Sequence, residues 1–200
     1  MKRLFLSVFM LLVAFATFAQ SRPKLIVGIV VDQMRWDYLH RYYNLYCEGG
    51  FKRLMNEGFD CENTMINYIP AITAVGHTSI YTGAVPSIHG IQANNFLLNG
   101  KMTYCTADST VSGVGTDSKA GQMSPRNMLT TTIGDELKVA TNFKSRVFGV
   151  SIKDRAAILP AGHAADAAYW IDSKQSKFIT SNYYMKQLPT WVEKYNKKIS

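Results

Sequence analysis

Residues 25–32 read Leu25-Ile26-Val27-Gly28-Ile29-Val30-Val31-Asp32, an uncharged β-branched run closed by a carboxylate. An apolar run of this length predicts a strand buried on both faces, as in a parallel sheet. Asp32 then stands at the carboxyl end of that strand, where open α/β sheets bind their ligands. Buried without a partner it would cost several kcal/mol, roughly, so a cation should face it. Two roles fit the position: a cap for the helix that follows, or a metal ligand.

Outward from this run, the pattern alternates strand and helix, which predicts an α/β sheet with helices on its faces. Residues 36–43 and 50–56 read as helical, 58–68 as extended, and 73–83 as a helix of small residues. Residues 84–101 read as loop and 102–114 as short β pieces. Ser124-Pro125 has the form of a helix start. Leu129, Ile133 and Leu137 follow at every fourth position, an apolar stripe running to about Thr141. Residues 146–151 predict a second buried strand, 166–171 and 177–180 a hairpin, and 188–195 the opening of a helix that runs to the end. Ser200 closes the sequence without a Gly or Pro stop, so the chain reads as the front of something longer.

The first nineteen residues read as a secretory signal peptide. Lys2 and Arg3 precede an apolar stretch from Leu4 to Phe15, and Thr17-Phe18-Ala19 offers small residues for cleavage before Gln20. The stretch is short for a membrane span, and no cysteine follows it to carry a lipid. The expected location is the periplasm or outside the cell. Residues 20–200 are then the N-terminal part of one domain. Loss of Lys2 and Arg3 takes the formal charge from +8 to +6. The excess is scattered and not interleaved with aromatics, so neither nucleic acid nor a membrane anchor is expected; a positive field would attract anionic substrates. Cys47, Cys61 and Cys105 are an odd set, and Cys61–Cys105 is the pairing expected if one forms.

Four pieces lie near predicted strand ends: Val31-Asp32-Gln33-Met34-Arg35, Pro70-Ala71-Ile72-Thr73-Ala74-Val75-Gly76-His77-Thr78, Asn94-Asn95-Phe96, and Ser151-Ile152-Lys153-Asp154-Arg155. Thr73 stands at a helix start, where a hydroxyl caps the helix or meets an anion held by its amides. As a nucleophile it needs activation. Lys153 and Arg155, two apart on a strand, would point the same way, with Asp154 opposite. Two adjacent cations call for an anion between them, and Arg matches phosphate oxygens with a two-pronged bond. Asn94 could donate to the same oxygens, though a loop asparagine also serves as a turn residue. His40, His77, His89 and His163 read as structural hydrogen-bonding groups.

Together and in this order, the pieces resemble the alkaline phosphatase superfamily, in its branch of bacterial phosphate-irrepressible alkaline phosphatases related to nucleotide pyrophosphatase/phosphodiesterases. The resemblance runs from VDQMRWDYL at 31–39 through SIKDRAAILPAGHAADAAYW at 151–170 to the terminal helix. It implies an alkaline-phosphatase-like, mostly parallel sheet with helices on both faces, of which this chain would be the N-terminal part. It implies a two-zinc site acting on small phosphate monoesters, with Asp32 and Thr73 as metal ligands and Thr73 as the nucleophile that becomes phosphothreonine. Asn94, Lys153 and Arg155 are implied as phosphate-binding residues. The Lys153/Arg155 pair favours a dianionic monoester over a diester.

The resemblance also implies zinc ligands in an Asp-x-x-x-His pair, an Asp-His pair and a late histidine, and the chain has none of these. Phosphate monoesters need accelerations approaching ~10²¹-fold, and two metals about 4 Å apart supply much of that. Residues 1–200 alone are therefore expected to be inactive, while the complete protein is expected to be a phosphatase. The alternatives are a phosphodiesterase or nucleotide pyrophosphatase on the same scaffold, or a non-catalytic truncated product.

Overall fold

The computed structural model describes residues 23–199. The predicted leader at 1–19 lies outside them. Of the described residues, 23–34 belong to one compact unit and 35–199 to a second.

In the first unit the run 25–31 forms no strand. Leu25 is 79% exposed and Ile29 78%, and Asp32 is also exposed. This corrects the expectation of a doubly buried strand. Such a strand needs a hydrogen-bonded neighbour on each edge, and all six described strands come from residues 95–181.

The second unit opens with helices α1 (Asp37–Arg41) and α2 (Phe51–Glu57), joined by a 3₁₀ turn at Tyr43–Leu45. Trp36 occupies the N-cap of α1. Helix α3 (Thr73–Thr82) ends at Gly83, whose φ of 66° closes the helix in the left-handed region that glycine enters without strain. The expected loop at 84–101 instead holds a short helix α4 (Pro86–His89) and strand β1 (Asn95–Leu98), which pairs antiparallel with β2 (Lys101–Tyr104). Asn99 and Gly100 turn this hairpin with φ of 50° and 76°, the Asn-Gly chemistry of a tight turn.

A four-stranded sheet is ordered β3-β6-β5-β4, from β3 (Gly113–Val114), β4 (Phe148–Val150), β5 (Ala167–Asp172) and β6 (Lys177–Ser181). The α/β class holds. Among the described residues, however, β4–β5 is the parallel pairing and the other ladders are antiparallel. The short link from β5 to β6 can only return antiparallel, whereas β4 reaches β5 through helix α6 (Asp154–Ala161).

Alternation along β5 places a helix on each face. Ala168 and Trp170 pack with Ala157 and Ile158 of α6. Ala167 and Tyr169 pack with Val192 of the terminal helix α7 (Thr190–Ile199). A third cluster joins Ala74 of α3 to Phe96 of β1, Cys105 and Leu159 of α6. Ile158, Leu159 and Ile179 are fully buried, each contributing about 1.5–3 kcal/mol. Gly149 lets α6 lie against β4, because a Cβ there would come within 2.0 Å of the Ala157 carbonyl oxygen.

Helix α5 (Ile133–Ala140) begins nine residues after Ser124, not at it. The Ser124 hydroxyl donates to Asp108 at 2.6 Å, while Thr132 and Asp135 form a reciprocal capping box that starts the helix. The apolar stripe is not buried: Leu129 is 75% exposed and Ile133 69%. Polar bonds set how α5 docks. Asp135 accepts from the Ala164 N–H at 2.6 Å, and Lys138 pairs with Asp166 at 2.8 Å. Residues 146–151 yield only the three-residue edge strand β4, with Phe148 and Val150 largely exposed. All three cysteines are free, with Cys47 and Cys61 exposed and Cys105 buried, so the Cys61–Cys105 bond is absent.

Candidate active site

Thr73 is the first residue of α3, half-buried, with Ile72 as the N-cap. Ile72, not Thr73, therefore holds the cap position. Asn94 serves that end instead. Its Oδ1 accepts the backbone N–H of Ala74 at 3.1 Å. An N–H can be met only by the carboxamide oxygen, so the geometry itself fixes which way the Asn94 amide faces. Two of the expected residues, twenty-one positions apart, are thus brought to one helix end.

Lys153 and Arg155 do not lie on a strand. Lys153 is the N-cap of α6 and Arg155 sits in its first turn. At 100° per residue they diverge, so the expectation of two parallel side chains is corrected. They follow β4 at the carboxyl end of a parallel pair and open a helix, the kind of position at which open α/β sheets bind ligands. Lys153 is exposed and Arg155 half-buried. Helix α6 also packs directly against α3.

Arg155 is held by Tyr104, which no local sequence pattern marks. Its Nη1 donates to the Tyr104 hydroxyl at 3.0 Å. Tyr104 in turn donates to Asp154 Oδ1 at 3.0 Å, and Asp154 Oδ2 accepts from Thr106. Arg155 Nε is buried without a hydrogen-bond partner. Burial pushes the Tyr104 phenol well above its usual range, and the Asp154 charge adds to the shift. Burial likewise raises the neighbouring Cys105 thiol to about 12.

The histidines make local bonds. His77 Nδ1 donates to the Thr73 carbonyl at 2.8 Å. His89 Nδ1 accepts the Ile91 N–H at 3.1 Å, so its Nε2 carries the proton given to Ser79 at 3.0 Å. That tautomer leaves His89 no lone pair to activate the Ser79 hydroxyl. His40 packs on Trp36, and the His163 carbonyl accepts from Tyr183.

A family model described as type I phosphodiesterase / nucleotide pyrophosphatase matches residues 26–200. The chain belongs to that family. It is 59% identical over 180 residues to a Myroides odoratus protein named calcium-transporting ATPase, covering 89% of this chain and 33% of the relative. It is 59% identical over 185 residues to alkaline phosphatase PafA of Elizabethkingia meningoseptica, covering 91% and 34%. The crystal structure of wild-type PafA superposes with a TM-score of 0.87 at 58% identity, over 90% of this chain and 35% of that one. A PafA variant with one threonine, one asparagine, one lysine and one arginine replaced superposes equally well, at a TM-score of 0.87. The fold is therefore that of alkaline phosphatase PafA over its N-terminal part. The chain spans about a third of the length of the relatives it matches.

Proposed function

We propose that this chain supplies the nucleophile and the phosphate-binding side chains of a phosphate monoesterase. The observation that carries the reading is the bond from Ala74 N–H to Asn94, which puts an amide donor beside Thr73 at a helix N-terminus. Thr73 Oγ1 attacks phosphorus, the bond to the leaving alcohol breaks, and a phosphothreonine remains. Water then displaces Thr73 and frees inorganic phosphate. Asn94 Nδ2 donates to one phosphate oxygen, and Lys153 and Arg155 neutralise the others. The orphaned Arg155 Nε supports this, because a buried N–H without a partner is a demand that an oxyanion meets. The threonine, asparagine, lysine and arginine replaced in the PafA variant match these residue types.

Zinc belongs to the reading as the ion of the complete site, with Asp32 and Thr73 as two of its donors. Among the described residues no group of three or more His, Cys, Asp or Glu could hold a metal ion, so the described residues do not by themselves fit a zinc site. A leader at 1–19 would place the protein in the periplasm or outside the cell. No helix among the described residues is long and apolar enough to cross a membrane.

The test is a chimera in which residues 23–200 replace the matching third of Elizabethkingia meningoseptica PafA. It should hydrolyse nitrophenyl phosphate faster than the bis-ester. Thr73→Ala should abolish this, and Lys153→Ala/Arg155→Ala should reduce monoester turnover far more than diester turnover. A chimera that prefers the diester favours the diesterase reading, which the family description also allows. An unchanged monoester rate in the double variant would overturn the roles given to Lys153 and Arg155. The isolated 200-residue chain should show no zinc-dependent rate above its own Thr73→Ala control.

A further inference from the structure

We propose that Tyr104 is a positioning residue that aims Arg155 at the phosphate and so helps the site prefer monoesters; the inference rests on the phosphate-site reading above. Tyr104 sits at the end of β2, half-buried, and fifty-one residues separate it from Arg155. Its hydroxyl has one proton. Asp154 can only accept, and Arg155 can only donate. The proton therefore goes to Asp154 Oδ1, and the oxygen lone pairs turn to Arg155 Nη1, both at 3.0 Å. Thr106 fixes the other oxygen of Asp154.

The same segment is tied to the other end of the site. The Cys105 N–H donates to the Asn94 carbonyl at 2.9 Å, and the Asn94 side chain holds the start of α3. One short stretch, 104–106, thus sets the place of Arg155 and of Asn94 together. A guanidinium held on one edge presents its remaining N–H groups in a fixed fork, which suits an oxyanion with several free oxygens. A diester offers fewer such oxygens and gains less from that fixation.

In the chimera, Tyr104→Phe removes a single oxygen. Inorganic phosphate, as a competitive inhibitor, should bind about tenfold more weakly, the effect of one hydrogen bond to a charged group. Monoester kcat/KM should fall by a similar factor, and diester kcat/KM should change by less than about twofold. In an Arg155→Ala background, Tyr104→Phe should change neither quantity further. Thr106→Val loosens the far end of the network and should shift both quantities in the same direction by less. Equal losses on monoester and diester, or additive losses in the two backgrounds, mean a merely structural role and overturn the proposal. So does an unchanged phosphate affinity in Tyr104→Phe when Arg155→Ala weakens it. If Arg155→Ala itself leaves monoester turnover and phosphate affinity intact, the phosphate-site reading fails first, and this inference falls with it.

Discussion

Asn94 Oδ1 meets the Ala74 N–H at 3.1 Å, so a side chain from the start of a hairpin finishes the first turn of a helix twenty residues earlier. The two halves of this contact can be separated. Asn94→Ala should cost about 1 kcal/mol of stability through the lost bond and should weaken phosphate binding. Asn94→Asp keeps the acceptor and should retain the stability, yet its charge should repel phosphate more strongly than the alanine does. Urea midpoints and phosphate inhibition, read side by side on the two variants, check this.

Gly149→Ala should destabilise the chain by about 1–3 kcal/mol, the usual range for overpacking. The added Cβ would lie 2.0 Å from the Ala157 carbonyl oxygen, which is backbone and cannot step aside. Denaturant unfolding measures the cost. In the chimera the same substitution should also lower phosphate affinity, because α6 carries Lys153 and Arg155.

Acid should unfold the chain in two stages. His89 is buried, and burial lowers its pKa below the ordinary 6.5. Below that pH the unfolded chain takes up a proton that the folded one refuses, so stability begins to fall. Three aspartates act lower down. At Asp108 and Asp166 burial works against the charge, but hydrogen bonds from Ser124 and Thr110, and from Lys138 and Val147, outweigh it and depress the pKa. At Asp172 the Thr116 and Ser118 hydroxyls depress it directly. Depressed carboxylates stabilise fully above the ordinary range near ~4 and lose that contribution as pH falls through their folded values. Urea midpoints taken from neutral pH to about pH 3 should show both losses. His89→Gln should remove the first and leave the second.

Ellman's reagent should modify Cys47 and Cys61 promptly and leave Cys105 untouched until denaturant is added. The first two thiols are exposed, whereas Cys105 is buried with its thiol raised to about 12, so almost no thiolate is present to react. Prompt reaction of all three would contradict the packing of Cys105 against Ala74 and Phe96.

The sequence made α3, the 167–181 hairpin and the terminal helix legible, because each carries its own punctuation: Gly83 after α3, a polar break between two β-rich runs, and Pro189 immediately before the terminal helix. It misplaced the start of α5 because Ser124 has two uses, and a hydrogen bond to Asp108, sixteen residues away, decides between them. Thr132-x-x-Asp135 was the readable signal for the true start. The Val147–Ile152 pattern runs straight into Lys153-Asp154-Arg155 and reads as strand, whereas the strand stops at Val150 and Lys153 is already the N-cap of α6, the helix packed on Gly149. The residues of the proposed site, Thr73, Asn94, Lys153 and Arg155, were legible as sequence motifs. Tyr104 was not, since its role rests on a partner fifty-one residues away and on no local pattern.

The backbone-to-backbone fit at Gly149 has an evolutionary corollary. Where a pocket's width is set by side chains, successive small replacements can widen or narrow it for new substrates. Here the spacing of α6 from β4 is set by the missing side chain of one residue, and the next size up collides with a peptide group. Drift in substrate preference should therefore proceed by exchanging the polar residues carried on α6 and β2, while the distance between helix and strand stays constant as a shared gauge.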